Sequence, residues 1–173
     1  SIFKKLTQKQ LPNEISLSSE KDPSEQSLDL GQGPSLGLNI KFDTLIVNDP
    51  TKSQLRSLLD AWLASKSVIL AGGESNALLN VARPNLVKRV EEERAKDALA
   101  KETQIIDATI NSLKIVSRKP RRIELKVQLV YRDQRLDSSG QKISETYIPK
   151  LFVTYILGRD KQNWRLHEYI SGN

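Results

Sequence analysis

The sequence predicts an α+β fold in which N-terminal helices pack on one face of an antiparallel sheet. The first observation is Ile123–Tyr131, IELKVQLVY, where Ile123, Leu125, Val127, Leu129 and Tyr131 alternate with Glu124, Lys126, Gln128 and Val130, the period of a strand with one buried face. The second is that two more β segments follow, TYIPKLFVTYIL over Thr146–Leu157 and WRLHEYI over Trp164–Ile170, and three strands in a row make a meander. The third is the helical spacing of apolar residues upstream, from Pro50 to Glu102. Helices that precede a meander bury their apolar stripe against one face of it.

Taken from the start, Ser1 to Lys41 is rich in Ser, Gln, Glu, Gly and Pro, with leucines in no period. Such a stretch cannot bury enough apolar surface to offset its ordering entropy, and residues 1–41 read as a flexible linker. Ile40, Phe42, Leu45, Ile46 and Val47 gather just ahead of the fold and are expected to tie the linker to it as an extra strand or an extended staple. Asp49-Pro50 has the form of a helix start, with Asp49 as the cap and Pro50 in the first turn. Leu55, Leu58, Leu59, Trp62, Leu63 and Ile69 follow at helical spacing, and Gly72-Gly73 supplies a left-handed stop. A short helix over Ser75–Ala82 is broken by Pro84, which opens a third helix. Leu86, Val87, Val90 and Leu99 form its buried stripe, with Glu91-Glu92-Glu93 on a solvated face. Between Thr103 and Val116 neither period is clean; the β-branched residues and the gain of a fourth strand favour a strand, at least from Asn111. Arg118–Arg122 is then a turn closed by Pro120, RLDSSGQKISE a long loop and GRDKQN a tight one. Residues 42–173 are expected to form the folded domain.

The composition excludes several classes of function. With no cysteine, thiolate zinc, disulfides and thiol catalysis are ruled out, and His167 as the single histidine rules out a multi-histidine metal site. The few glycines before Phe42 precede no helix, so no phosphate-binding loop is formed, and no cofactor is implied. No apolar run approaches the roughly 20 residues of a membrane span. The chain starts at Ser1 without Met and has no visible leader, so it reads as part of something longer or as a processed product. Its opening IFKKLTQKQ is either the charged start of a linker or the flank of a preceding span; in the second case Lys4, Lys5 and Lys9 favour a cytoplasmic placement by the positive-inside tendency.

The net charge of +6 is compatible with an acidic peptide, an anionic lipid or a nucleic acid. Arg118, Lys119, Arg121, Arg122 and Lys126 make the densest basic constellation, suited to phosphate or carboxylate and equally to keeping a hairpin soluble. Nucleic acid is not expected, because Tyr131, Tyr147 and Tyr155 lie on apolar strand faces rather than among these cations. His167 shares strand parity with Arg165 and Tyr169, and Glu168 points the other way. Tyr147 and Tyr155 share parity with Pro149 and Val153, which places them on one face, where a groove with aromatics at its mouth would suit a peptide.

The ordering of LRSLLDAWLASKSVILAGG, SNALLNVARPNLVKRVEEE, SLKIVSRKPRRIELKVQLVY and TYIPKLFVTYILGRDKQNWRLHEYI resembles the intermembrane-space domain of the plastid-division protein related to J-domain proteins, and of its cyanobacterial cell-division counterparts. The resemblance spans Pro50 to Ile170. Its most specific parts are the opening helix with Trp62 and Lys66 and the closing strand pair from Thr146-Tyr147 to Trp164-Arg165. It implies a cystatin-like cone fold similar to nuclear transport factors, without enzymatic activity or cofactor. It also implies attachment to a membrane span, placement across a membrane from the cytosol or stroma, and recruitment of a division partner through the partner's C-terminal tail. On that reading Trp62, Tyr131, Tyr147 and Tyr155 are expected to anchor the tail in a groove and Lys126 to meet its carboxylate. Two copies could also pair along an exposed sheet face. The alternative is a small-molecule-binding or enzymatic cone that uses His167 or a buried carboxylate such as Asp107.

Overall fold

The computed structural model describes residues 42–172; the linker expected over residues 1–41 lies outside them. Three helices precede four strands: α1 (Lys52–Leu70), α2 (Leu78–Val81), α3 (Pro84–Leu99), β1 (Thr103–Lys119), β2 (Arg122–Leu136), β3 (Lys142–Asp160) and β4 (Asn163–Ser171). The strands form one antiparallel sheet in the order β1-β2-β3-β4. The expected class and meander are present. Leu55, Leu58, Leu59, Trp62 and Leu63 of α1 pack with Ile106, Leu125, Val127, Leu129, Val153, Tyr155 and Leu166 in a single core. No helix among the described residues is long and apolar enough to cross a membrane.

The start of α1 differs from expectation. Thr51 is the N-cap: its side chain accepts from the Gln54 amide at 3.1 Å while the Gln54 side chain accepts from the Thr51 amide at 2.9 Å, a reciprocal box that satisfies two otherwise orphaned donors. Asp49 instead binds Arg118 at 2.7 Å. Leu70 ends the helix and Gly72, at φ 98°, makes the left-handed exit. The short helix is reduced to Leu78–Val81. In α3 the buried stripe is Leu86, Val87, Val90 and Asp97, whereas Leu99 is exposed. Its place falls to Asp97 because that carboxylate is matched by Gln104 at 2.8 Å and Arg135 at 2.9 Å.

β-Bulges decide which side chains face inward. In β1, Ile110 pairs with Leu129 and Ser112 with Gln128, leaving Asn111 as an extra residue. Ile106, Ala108 and Ile110 therefore face the core before it, and Leu113 after it, which is why this segment obeys neither period. β1 is a strand from Thr103, eight residues earlier than its clean β-branched part suggested. The expected long loop is also mostly strand: β2 runs on to Leu136 and β3 starts at Lys142, and Asp137 closes the turn by accepting from the Ser139 and Gln141 amides, both at 2.9 Å.

In β3, Leu151 pairs with Leu129 but Ile148 with Tyr131, so an extra residue lies at Pro149-Lys150, where proline's missing N–H is tolerated. Tyr155 is core and Tyr147 is exposed on the other side; the shared face expected from strand parity does not survive the bulge. In β4, Glu168 pairs with Ile156 and Leu166 with Leu157, leaving His167 as the extra residue. Tyr169 consequently packs with the core rings Trp62 and Tyr155, away from Arg165 and His167.

The entering segment is the expected extended staple. Leu45 bridges to Trp164, the Trp164 amide donates to the Leu45 carbonyl at 2.9 Å and its indole Nε1 to the Val47 carbonyl at 2.8 Å, and Asn80 Nδ2 donates to the Phe42 carbonyl at 2.8 Å. Trp164 thus joins the edge strand, the core and the entering chain. Trp164→Ala is expected to destabilise the domain by about 3–5 kcal/mol, read as a lower urea midpoint; a loss under about 1 kcal/mol would show that the staple does not depend on the indole.

Candidate functional site

The five residues expected to share a groove are divided between the two faces of the sheet. Trp62, Tyr131 and Tyr155 are 0, 1 and 0% exposed, so they serve as core beneath the helices. Trp62 and Tyr155 flank Tyr169, with ring centroids 5.9 and 6.0 Å from it. Lys66 is fully buried among them, its Nζ 5.1 Å from the Trp62 ring centroid and 5.2 Å from that of Tyr169, a cation held against two π faces. Tyr131 donates its hydroxyl to Asp133. Asp133 is itself buried, and burial pushes its carboxyl above the ordinary value, against the pull of the Tyr131 hydrogen bond. Lys126 and Tyr147 are exposed on the opposite face, where Arg132 lies 4.7 Å over the Tyr147 ring.

That opposite face carries an open groove of about 410 Å³ lined by Ser112, Lys114, Lys126, Gln128, Phe152 and Thr154, with Gly172 at its end. The register explains its chemistry. Lys114 pairs directly with Lys126, which pairs with Thr154, which pairs with Ile170; the next row is Ser112, Gln128 and Phe152. Two lysines directly opposite on neighbouring strands repel each other, at a cost of about 0.2–1 kcal/mol. Among the described residues no carboxylate lines the groove and neither lysine makes an ion pair. Phe152 and Ile170 stand exposed beside them, 44% and 56% accessible. The arrangement can receive an anion flanked by an apolar group. Lys114 escapes a reading of the sequence because its position opposite Lys126 depends on the bulge at Asn111.

The basic constellation of the β1–β2 turn does not form one site with Lys126. Arg118 donates to Asp49 at 2.7 Å and to the Pro50 carbonyl at 2.6 Å, Arg121 to the Arg159 carbonyl at 2.7 Å, and Arg122 lies 3.5 Å from Glu124.

The residues of the small-molecule alternative are separated as well. Asp107 is exposed; the buried carboxylates are Asp97 and Asp133. His167 lies outside the core, its ring against Gly158, where a Cβ would come within 1.9 Å of it. His167 Nε2 is 3.0 Å from Asp160 Oδ1, and Asp160 is also held by Arg165 at 3.0 Å and by Arg83 at 3.1 Å, which reaches round the edge strand. Partial burial raises the Asp160 pKa, but the hydrogen bonds from Arg83 and Arg165 outweigh it and bring it down to about 2. Burial holds the His167 imidazole below its ordinary value, against the attraction of Asp160. This cluster fastens α3 to the β3–β4 hairpin.

A family model described as "ARC6-like, IMS domain" matches residues 56–167. No curated protein matches the sequence. Among solved structures, the intermembrane space region of chloroplast protein ARC6 aligns with a TM-score of 0.55 at 15% identity, over 70% of this chain and 96% of that one. A putative calcium/calmodulin dependent protein kinase II association domain from Xanthomonas campestris aligns with a TM-score of 0.42 at 12% identity, over 78% and 95%.

The Asp160 cluster sets a pH dependence. Asp160 is depressed from 3.8 to about 2, so its contribution to stability is present above pH 3.8 and is lost as pH falls through about 2. His167 is depressed below 6.5, so the unfolded chain takes up its proton first and the folded state loses stability as pH falls below 6.5. His167→Gln is expected to flatten the decline in urea stability between pH 7 and pH 5, roughly the range of an ordinary histidine titration; an unchanged decline would assign it to other groups.

Proposed function

Because the chain belongs to the ARC6-like IMS domain family, a family of division-protein domains, we propose that it is a non-enzymatic recruitment domain that binds the C-terminal tail of a division partner. In this reading residues 42–172 are the recruiting body and residues 1–41 tether it to a membrane span. The family description refers to an intermembrane space, which puts the body across a membrane from the cytosol or stroma. The cytoplasmic tendency of Lys4, Lys5 and Lys9 is overruled, since so few charges fix an orientation only weakly.

One observation carries the tail-binding reading: Lys114 and Lys126 stand opposite each other, without carboxylate partners among the described residues, in an open groove beside Phe152. A terminal carboxylate would relieve the repulsion between the two ammonium groups through charge-assisted hydrogen bonds, while an apolar side chain near the end of the tail covers Phe152 and Ile170. Tyr147, on the same outer face, extends the surface towards the residues preceding the terminus. Trp62, Tyr131 and Tyr155 support the sheet from behind.

The test begins with a pull-down from a membrane extract on the 173-residue chain, followed by titration of the recovered partner's C-terminal peptide with a free or an amidated terminus. The free acid is expected to bind more tightly, and Lys114→Ala with Lys126→Ala to weaken it by roughly tenfold or more and reduce its salt dependence. Equal affinity of acid and amide, or of wild type and double variant, would exclude the groove as the tail site.

A further inference from the structure

We propose that the two hairpin tips at one end of the sheet form a cationic foot that rests on an anionic lipid surface. One tip is the turn between the paired residues Lys119 and Arg122, the other the turn between Asp160 and Asn163. They are neighbours because Arg122 pairs with Gly158 and Arg121 donates to the Arg159 carbonyl. Lys119, Arg121 and Lys161 are exposed, and none has a carboxylate partner among the described residues. Arg159, next to them, directs its guanidinium to neutral Asn48 at 2.8 Å and Gln162 at 3.3 Å. The carboxylates at this end, Asp49, Glu124 and Asp160, are each matched by an arginine. Among the described residues the surplus positive charge at this end is therefore not neutralised.

Two features favour lipid over other polyanions. Both turns are two residues long, one stiffened by Pro120, so the cations project from short loops as a fixed set. Apart from Pro120, neither turn exposes an apolar side chain, and neither carries an aromatic one: the nearest ring, Trp164 beneath Arg159, is fully buried. A protein interface is built around such anchors and single-stranded nucleic acid stacks on such rings, whereas an anionic bilayer requires only charge near its surface. The proposal rests on the membrane-anchored reading above.

Each cation brought close to an anionic surface strengthens binding by about fivefold. The test is flotation of the full 173-residue chain with vesicles of phosphatidylcholine alone or mixed with phosphatidylglycerol. Binding is expected only to the mixture and is expected to fall with added salt. Lys119→Glu with Lys161→Glu, one substitution from each tip, should weaken it by roughly tenfold or more. Lys88→Glu with Lys96→Glu, the same change of charge on the solvated face of α3, should leave it within about twofold, with circular dichroism confirming that both variants are folded. No binding to the mixed vesicles, or equal losses in the two double variants, would overturn the proposal. So would tight binding of a single-stranded RNA through Lys119 and Lys161 by a protein that does not bind the vesicles. Vesicle binding reads the tips without any anchor, so its failure leaves the tether reading standing; recovery of the intact cellular protein in the soluble fraction would remove the tether reading instead.

Discussion

The structure depends on the burial of one face of the sheet beneath α1. Four long strands expose two faces, and a single helix of 19 residues with two shorter companions can cover only one. Leu55, Leu58, Leu59, Trp62 and Leu63 form the covering stripe, and every core residue of β1 to β4 must turn towards it. Strands this long twist away from a straight helix, and the extra residues at Asn111, at Pro149-Lys150 and at His167 re-aim the side chains so that each end of the sheet still meets its cover. Loss of one bulge would turn half a strand inside out.

The uncovered face follows from the same constraint. Side chains in the middle of the face turned away from α1 are not packed beneath it, so lysines can face each other there at small cost. Lys114 and Lys126 do so beside exposed Phe152. One anionic, partly apolar ligand would relieve both the charge repulsion and the apolar exposure of this surface.

Charged residues are used in two distinct ways. Asp97 with Gln104 and Arg135, and Asp160 with Arg83, Arg165 and His167, join helices to strands through matched partners; their burial makes a lost partner costly. Lys114, Lys126, Lys119 and Lys161 are exposed and make no ion pair among the described residues, and they hold little of the fold together.

The amino-acid sequence by itself determined the class, the order of helices before strands, the meander and the docking of the entering segment. Each of these is written in local periodicity, in Pro84 and Gly72, and in the apolar cluster around Leu45. It also carried the family likeness, because that lies in the order of whole segments. Which face each side chain takes beyond a bulge was decided only by the tertiary structure. Asn111, Pro149 and His167 are not marked as extra residues by their identity, since a bulge exists only relative to a partner strand. The separation of Tyr147 from Tyr155 and the meeting of Lys114 with Lys126 therefore became visible only when the strands were paired. Side-chain direction alternates with a period of two, and a single inserted residue reverses everything that follows it.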